Sequence, residues 1–209
     1  MIKVLKNYID KKFKPHKNDV YTVIDKLFNS LEDDLICLYM GSDITPYTDI
    51  IIKTIGKERE RIKEKTGFIL PAIRCQKDYN IQENEFNITV NGNKCETKFV
   101  IPTNEHIEEE IINSIYNIYQ NNLSDIFPNE FVEKYKEKAK IKNFKTVTEV
   151  CYSLAAVEIK YILINLLKNN KSINNISYIF EKISEKIFIE GAYDKNNIEK
   201  ISESVLNSI

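Results

Sequence analysis

The sequence predicts an α+β protein with three parts. A helical segment over residues 1–32 precedes a small α/β unit of one strand, one helix and three strands over residues 33–102, and an all-helical bundle follows over residues 103–209. Short apolar runs that end at glycine or proline fill the α/β unit, which is typical of strands. After Pro102 the apolar residues recur every three or four positions, which is typical of helices. A length of 209 residues suits one large domain or two small ones.

The segment 1–32 contains two apolar stripes at helical spacing on either side of Pro15. The stripes consist of Val4, Leu5, Tyr8 and Ile9, and then of Val20, Val23, Ile24, Leu27 and Leu31. The first stripe is accompanied by Lys3, Lys6, Lys11, Lys12, Lys14 and Lys17. This basic helix either contacts an anionic membrane surface or an acidic partner, or presents a solvated face. We favour the solvated face, because Asp10 interrupts the charge.

The α/β unit begins with the apolar run Leu35–Met40, a predicted strand that stops at Gly41. The predicted helix opens at Pro46 and Asp49 and ends at Gly67, where a glycine commonly terminates a helix. Its apolar face contains Ile51, Ile52, Ile55 and Ile62. The remaining predicted strands are Phe68–Cys75, Phe86–Val90 and Cys95–Ile101. Asn91-Gly92 between the last two predicts a tight hairpin.

The helices predicted in residues 103–209 are recognisable by their starts. Thr103 or Asn104 caps the first helix, and Pro128 begins the second. Thr146 to Glu149 has the form of a capping box. The helix that it opens is predicted to run through Leu154, Tyr161 and Leu167. Ser172 is predicted to cap the next helix, and Lys195–Leu206 is predicted to be the last.

Composition excludes several classes of function. The net charge of −1 produces no general attraction for nucleic acid. No apolar run approaches the ~18–20 residues of a membrane helix, and the first residues lack the features of a signal peptide. The four cysteines are scattered without zinc or redox spacing; they are Cys37, Cys75, Cys95 and Cys151. We therefore expect a cytoplasmic protein with reduced thiols.

Catalytic and metal-binding patterns are not found in the sequence. His16 and His106 are the only histidines, and neither belongs to a nucleophile motif. The densest carboxylates, Asp33-Asp34 and Glu108 to Glu110, are neighbours in sequence, whereas an acid–base pair must face across a pocket. The glutamates suit the positive N-terminal end of a helix. We therefore expect no catalytic residue, no metal and no cofactor, and a protein that is not an enzyme.

Two motifs in the α/β unit resemble a known family. Thr66–Arg74 reads TGFILPAIR and fits the signature G-F-x-x-P-x-x-R without a gap, and Asn84–Gly92 reads NEFNITVNG and fits N-E-Y-x-I-x-I-x-G. Asp34–Gly41 resembles the entry strand D-P-L-E-L-E-L-G that precedes them. These are motifs of the FHIPEP family, the large export-gate subunit of flagellar and injectisome type III secretion systems, and the resemblance is to its soluble domain.

The second block of similarity is Glu158–Glu185, which resembles the helical segment E-I-x-x-V-L-x-N-L-L-x-E-x-V-S-I-R-D-L-x-x-I-L-E of that family. Asn174-Asn175 replaces the usual Arg-Asp, which is expected to weaken any ring contact that uses those charges. We expect the family's membrane half and its final α/β subdomain to have no counterpart in these 209 residues. After Gly92 the family inserts a small second subdomain, whereas Lys94–Pro102 here leads directly into the helical part.

The resemblance implies a non-enzymatic protein-interaction module that assembles with or regulates a secretion apparatus at the cytoplasmic side of a membrane export gate. Its expected partners are apparatus components or export chaperones, and rings in the family make a homo-oligomer an expectation. Phe99, Val100 and Pro102 resemble the segment that borders the family's docking cleft, so they are the residues predicted to bind a partner; the alternative, which we favour, is a strand end that the N-terminal helices cover. Two alternatives stay open: a diverged regulator or remnant that binds a protein unrelated to export, and a small-molecule-binding domain.

Overall fold

The computed structural model describes residues 34–190 and 197–209, so the predicted helices of residues 1–32 and the start of the predicted last helix lie outside the described residues. The strands are β1 (Ile36–Met40), β2 (Ile73–Lys77), β3 (Glu85–Val90) and β4 (Asn93–Phe99). The helices are α1 (Thr48–Thr66), α2 (Asn104–Asn121), α3 (Leu123–Ile126), α4 (Asn129–Lys142), α5 (Phe144–Ser153), α6 (Ala156–Lys168), α7 (Ile176–Glu190) and α8 (Asn197–Leu206). The predicted α+β class is confirmed.

The four strands form one mixed sheet in the order β2-β1-β3-β4. β1 is parallel to β2, because α1 carries the chain back to the start of the sheet, and antiparallel to β3. In the central pair, Ile36 lies opposite Val90 and Leu38 lies opposite Ile88, and all four side chains are buried. Alternate residues point to the same face of a sheet, so these pairs build one apolar face.

Helices α1 and α2 pack against each other and supply the apolar side chains beside this sheet. Their buried residues recur at helical spacing: Ile51, Ile55 and Ile62 in α1, and Ile107, Ile111, Ile115 and Ile118 in α2. Thr103 caps α2 by accepting a hydrogen bond from the His106 backbone N–H, as the sequence predicted. Each isoleucine that is removed from water in this way contributes about 1.5–3 kcal/mol to folding.

The strand predicted at Phe68–Cys75 corresponds to β2, which starts later, at Ile73. The first residues of the predicted strand have other partners. The Phe68 backbone N–H donates to the Thr66 hydroxyl at 3.1 Å, and the Arg59 Nε donates to the Leu70 carbonyl at 2.9 Å. Pro71 then lacks the N–H that a strand ladder uses. The chain therefore pairs with β1 only after these contacts are complete.

The helix predicted to run from Thr146 through Leu167 is two helices, α5 and α6, which are bent by 108° at Leu154-Ala155. The cap of α5 is Asn143, whose side chain accepts from the Thr146 backbone N–H at 3.4 Å. A second start is created where the Ala155 backbone N–H donates to the Glu158 carboxylate at 2.7 Å. The capping-box interpretation was therefore wrong, because the true caps lie on either side of it.

Ser172 does not cap the next helix either, because α7 begins at Ile176. The side chain that accepts a first-turn N–H is that of Asn175, from Tyr178 at 3.4 Å. Ile173 precedes the helix and is buried. The sequence pattern predicted that Ile173 is helical, because it lies three positions before Ile176 and so fits the apolar spacing of the helix.

The buried side chains of the sheet and of the helical part form one continuous hydrophobic core. Within the helical part, α7 packs against α5 and α8, and α8 packs against α6. The Asn165 side-chain amide donates to the Ser202 hydroxyl at 2.8 Å, which fixes the contact between α6 and α8. The division into residues 33–102 and 103–209 stays a prediction, since side chains from both ranges share this core.

No single helix in the part of the chain that the structure describes has both the length and the apolar character of a membrane span. Helices α5 and α6 satisfy that criterion only when they are taken together, across their bend.

Candidate protein-interaction surfaces

The three residues predicted to bind a partner lie at the end of β4 and differ in exposure. Phe99 is 55% exposed, Pro102 is exposed, and Val100 is only 2% exposed. The Val100 backbone N–H donates to the Asn84 carbonyl at 2.9 Å, so this residue continues the pairing with β3 and its side chain enters the core. Phe99 and Pro102 are therefore the members of the trio that are available to a partner.

Ile101 is a further exposed apolar residue at this position, outside the predicted trio. Its exposed fraction is 66%. The alternation of Phe99, Val100 and Ile101 was the available signal, since a buried central residue predicts that both neighbours point outward. The three exposed residues Phe99, Ile101 and Pro102 form what we call the β4-end patch. β4 is an edge strand, so the patch borders a sheet edge.

The base of the β4-end patch is fixed by polar contacts. The Tyr47 hydroxyl donates to the Pro102 carbonyl, which attaches the turn after β4 to the start of α1. Glu85, opposite Phe99 in the sheet, has one oxygen 3.7 Å from the Lys94 Nζ. The patch is thus a short apolar surface on a fixed backbone, with charged side chains beside it.

A second region of interest is the junction between α1 and the helical part, where the motif Thr66-Gly67-Phe68 lies. Gly67 ends α1 with φ of 81°, and its N–H donates to the Lys63 carbonyl. The ring of Phe68 is fully buried and stacks on Phe127, with centroids 5.0 Å apart. The resemblance to the family at this motif therefore falls on residues that join the two parts of the fold.

The aromatic contact continues from Phe68 into the helical part. Phe131 packs edge-on against Phe68 at 5.5 Å, and the row is extended through Tyr135 to Phe180, each step having a centroid distance of 6.0 Å. The Tyr135 hydroxyl donates to the Ile173 carbonyl at 2.7 Å. Burial raises the pKa of the Tyr135 phenol far above its ordinary value, so the hydroxyl keeps its proton and remains a donor.

The connection between α6 and α7 binds the C-terminal end of α1. The Ile173 backbone N–H donates to the Thr66 carbonyl at 2.7 Å, and the Ser172 hydroxyl donates to the same oxygen at 3.3 Å. The Asn174 side-chain amide donates to the Glu64 carbonyl at 3.4 Å. These bonds satisfy carbonyls that the end of a helix leaves without partners. Asn174 thus has an intramolecular role here, and Asn175 caps α7.

An open groove of about 250 Å³ lies beside this junction. We call it the junction groove. Its lining residues are Gly67, Ile69, Phe131, Lys134, Tyr135, Lys138, Ile173, Asn174 and Ile176. Ile69 is 50% exposed, although its neighbours Phe68 and Leu70 are fully buried. Two lysines, Lys134 and Lys138, are the charged members, and both are exposed.

The titratable groups of the described chain do not form a recognisable reactive centre. In residues 34–190 and 197–209, no three His, Cys, Asp or Glu side chains come together in a way that could hold a metal ion. His106 lies in the first turn of α2, and His16 lies outside the described residues. Burial raises the pKa of the Cys75 thiol, with a smaller contribution from Cys37, so this thiol is less reactive than a free cysteine.

Comparison with known proteins supports the fold. No protein-family model and no curated protein matches the chain. The Chlamydia pneumoniae CdsV protein is structurally similar, with a TM-score of 0.69 and 15% identity over 84% of this chain and 66% of that one. The nonameric EPEC SctV-C has a TM-score of 0.65 and 16% identity, over 81% and 63%. The Shigella flexneri MxiA protein has a TM-score of 0.62 and 14% identity, over 81% and 62%.

This chain spans less than two thirds of the length of each of those three structures. A further similar structure is described as the nonameric EscV cytosolic domain from the type III secretion system, with a TM-score of 0.58 over 83% of this chain. Identities of this size establish a likeness of fold. The described chain therefore has the fold of the cytoplasmic domains of type III secretion export-gate proteins, as its sequence motifs predicted.

Proposed function

We propose that this protein is a non-enzymatic protein-interaction module that assembles with, or regulates, a type III or flagellar secretion apparatus at the cytoplasmic side of the membrane. The observation that carries the proposal is the likeness of fold to export-gate cytoplasmic domains over four fifths of the chain. The matching motifs TGFILPAIR and NEFNITVNG support it, because they occupy the junction and the central strand of the same fold.

The β4-end patch is the surface that we assign to partner binding in this function. Phe99 and Ile101 expose much of their apolar area, and Pro102 lies beside them. An exposed aromatic side chain on a fixed backbone is a typical interface anchor, because it gives contact area at a low cost in conformational entropy. Val100 contributes by holding the segment in the core.

Self-assembly is part of the proposal. Two of the similar structures, SctV-C and the EscV cytosolic domain, are nonameric. A head-to-tail contact between identical chains closes into a ring when its rotation divides the circle. Light scattering coupled to size-exclusion chromatography over a range of concentrations tests this part, and a mass that stays at 24.5 kDa at all concentrations would contradict it.

Crosslinked affinity capture from the native cells, read by mass spectrometry, tests the partner-binding function. Phe99→Asp places a charge at the centre of the β4-end patch, and Phe99 is exposed enough for the fold to persist. Tyr79→Asp is the matched control, because Tyr79 is an aromatic residue that is 83% exposed in the loop before β3. We expect wild type and Tyr79→Asp to capture secretion-apparatus components or export chaperones, and Phe99→Asp to lose them.

Each other outcome of this capture argues against part of the proposal. Capture of secretion components by Phe99→Asp at the wild-type level would remove the β4-end patch as the interface. Capture by wild type of cytosolic proteins unrelated to export would favour the diverged regulator over the secretion role. Circular dichroism of each variant establishes that any loss of capture is not a loss of folding.

A further inference from the structure

We propose that the junction groove binds an acidic segment of a partner protein, which inserts one large apolar side chain between Ile69 and Ile176 and places carboxylates on Lys134 and Lys138. This surface is separate from the β4-end patch, and the proposal does not depend on the function assigned to that patch.

The apolar part of the groove consists of Ile69, Phe131 and Ile176, of which Ile69 is the most exposed and Ile176 is 9% exposed. Ile69 is half exposed between two fully buried neighbours, so its side chain is left at the surface by the direction of the chain. Ile176 and the half-buried Phe131 line the same groove. A pocket with apolar walls at the surface is a typical position for an anchoring side chain of a partner.

The charge of the groove indicates the charge of the partner segment that it would bind. Lys134 and Lys138 lie one turn apart on α4, and no carboxylate lines the groove. Among the described residues, neither lysine forms an ion pair, whereas Lys136 on the same helix pairs with Glu133 at 3.0 Å. The groove therefore offers two positive charges without an ion-pair partner in residues 34–190 and 197–209, and an acidic segment complements them.

The two helix ends near the groove add to this preference. α7 begins at Ile176, so the positive end of its dipole lies at the groove. The negative end of α1 is close by, but its carbonyls accept hydrogen bonds from Ile173, Ser172 and Asn174. The Asn175 side chain caps α7 through the Tyr178 N–H, so this helix end acts on an approaching carboxylate through its dipole and not through that N–H.

The spacing of the two lysines indicates the spacing of the charges on a partner. Lys134 and Lys138 are separated by about 6 Å along the axis of α4. Two carboxylates one helical turn apart on a partner reproduce this separation.

The groove is held open by contacts that exist without a partner. The Tyr135 hydroxyl bond to Ile173 fixes α4 relative to the connection before α7, and the left-handed backbone of Gly67 fixes the turn that presents Ile69. A preformed site avoids the ordering cost that weakens binding to mobile surfaces.

The test uses a short fluorescent helix-forming peptide with Glu-Ala-Ala-Phe-Glu at its centre, which places both carboxylates and the ring on one face. Fluorescence anisotropy with the full chain measures its Kd. The matched peptides Lys-Ala-Ala-Phe-Lys and Glu-Ala-Ala-Ser-Glu test the charge and the anchor. We expect the double variant Lys134→Glu/Lys138→Glu to raise the Kd about tenfold or more, because two favourable pairs become repulsive.

Lys145→Glu is the control for the lysine variants, because it makes the same charge change at an exposed residue of α5 that does not line the groove. We expect it to change the Kd by less than about twofold. Ile69→Ser removes the apolar wall at a half-exposed residue and is expected to weaken binding as the lysine variant does. Amide NMR shifts on adding the peptide are expected at Gly67, Ile69 and Asn174.

Three results would overturn the inference. The first is no binding of the acidic peptide by the wild-type chain at about 1 mM. The second is equal binding of the lysine peptide. The third is a set of shifts at Phe99 and Ile101 in place of the groove, with binding lost in Phe99→Asp. That third result would leave the β4-end patch as the acidic-segment site, so failure of this inference is distinguishable from failure of the proposed function.

Discussion

Gly67 is where the structure makes its sharpest prediction about stability. Its φ of 81° lies in the left-handed region, which costs an alanine about 1–2 kcal/mol. A Cβ at Gly67 would also lie 2.6 Å from the Asn174 Oδ1 and 3.0 Å from the Asn174 backbone nitrogen. Moving Asn174 away breaks its bond to the Glu64 carbonyl, which is worth about 0.5–1.5 kcal/mol. Gly67→Ala is therefore expected to lower the free energy of unfolding by about 1.5–3.5 kcal/mol.

The matched control is Gly56→Ala in the middle of α1. A Cβ there would meet nothing within 4 Å, and the glycine has ordinary helical geometry. Alanine in a helix interior is more favourable than glycine by about 0.5–1 kcal/mol, so this variant is expected to be more stable than wild type. Replacing glycine by alanine is thus expected to lower stability at Gly67 and to raise it at Gly56. Urea unfolding followed by circular dichroism measures both variants.

Combining Gly67→Ala with Asn174→Ala separates the two parts of the expected loss. If the contact with the Asn174 side chain contributes, the double variant loses less than the sum of the single losses. If backbone strain alone acts, the losses add. A Gly67→Ala protein with the same free energy of unfolding as wild type, or a higher one, would refute the assignment of Gly67 as a required left-handed helix end.

Two further predictions concern the aromatic row. Phe68→Ala is expected to lower the free energy of unfolding by about 3–5 kcal/mol, because it leaves a cavity beside Phe127 in a fully buried site; a loss below about 1 kcal/mol in denaturant unfolding would contradict this. Burial raises the pKa of Tyr135 in the folded protein, so this residue contributes its full stabilisation below pH ~10. The stabilisation is lost as the pH rises through the higher folded pKa, at up to about 1.4 kcal/mol per pH unit. Tyr135→Phe is expected to be less stable than wild type at neutral pH but to lose less stability between pH ~10 and ~11; parallel alkaline curves for the two proteins would count against it.

Local chemistry explains which elements could be predicted from the sequence. Gly67 ends α1 and Asn91-Gly92 forms the hairpin, with positive φ at both residues, because these positions need residue types that the sequence displays. The start of β2 was misplaced because the partners of Phe68 and Leu70 are Thr66 and Arg59, which strand periodicity does not reveal. The break between α5 and α6 was missed because apolar spacing continues across it.

The candidate surfaces divide in the same way. The exposed β4-end residues Phe99 and Pro102 lie within four positions of each other, so a single motif could indicate them. The junction groove is lined by Gly67 and Ile69, by one face of α4 and by Ile173, Asn174 and Ile176. These segments are far apart in the chain, and only the folded structure brings Ile69 to Lys134. The role of Asn174 was inaccessible for the same reason, since its partner is the Glu64 carbonyl.

The hairpin between β3 and β4 is a position at which the fold can accept inserted residues. Asn91 and Gly92 are exposed, and a side-chain atom added at Gly92 would meet nothing within 4 Å. The two strands leave the turn side by side, so a folded domain with neighbouring termini can be spliced in there without disturbing the sheet. Gain or loss of a whole module at this turn is therefore structurally almost neutral, and the same turn offers an experimenter a site for an internal reporter.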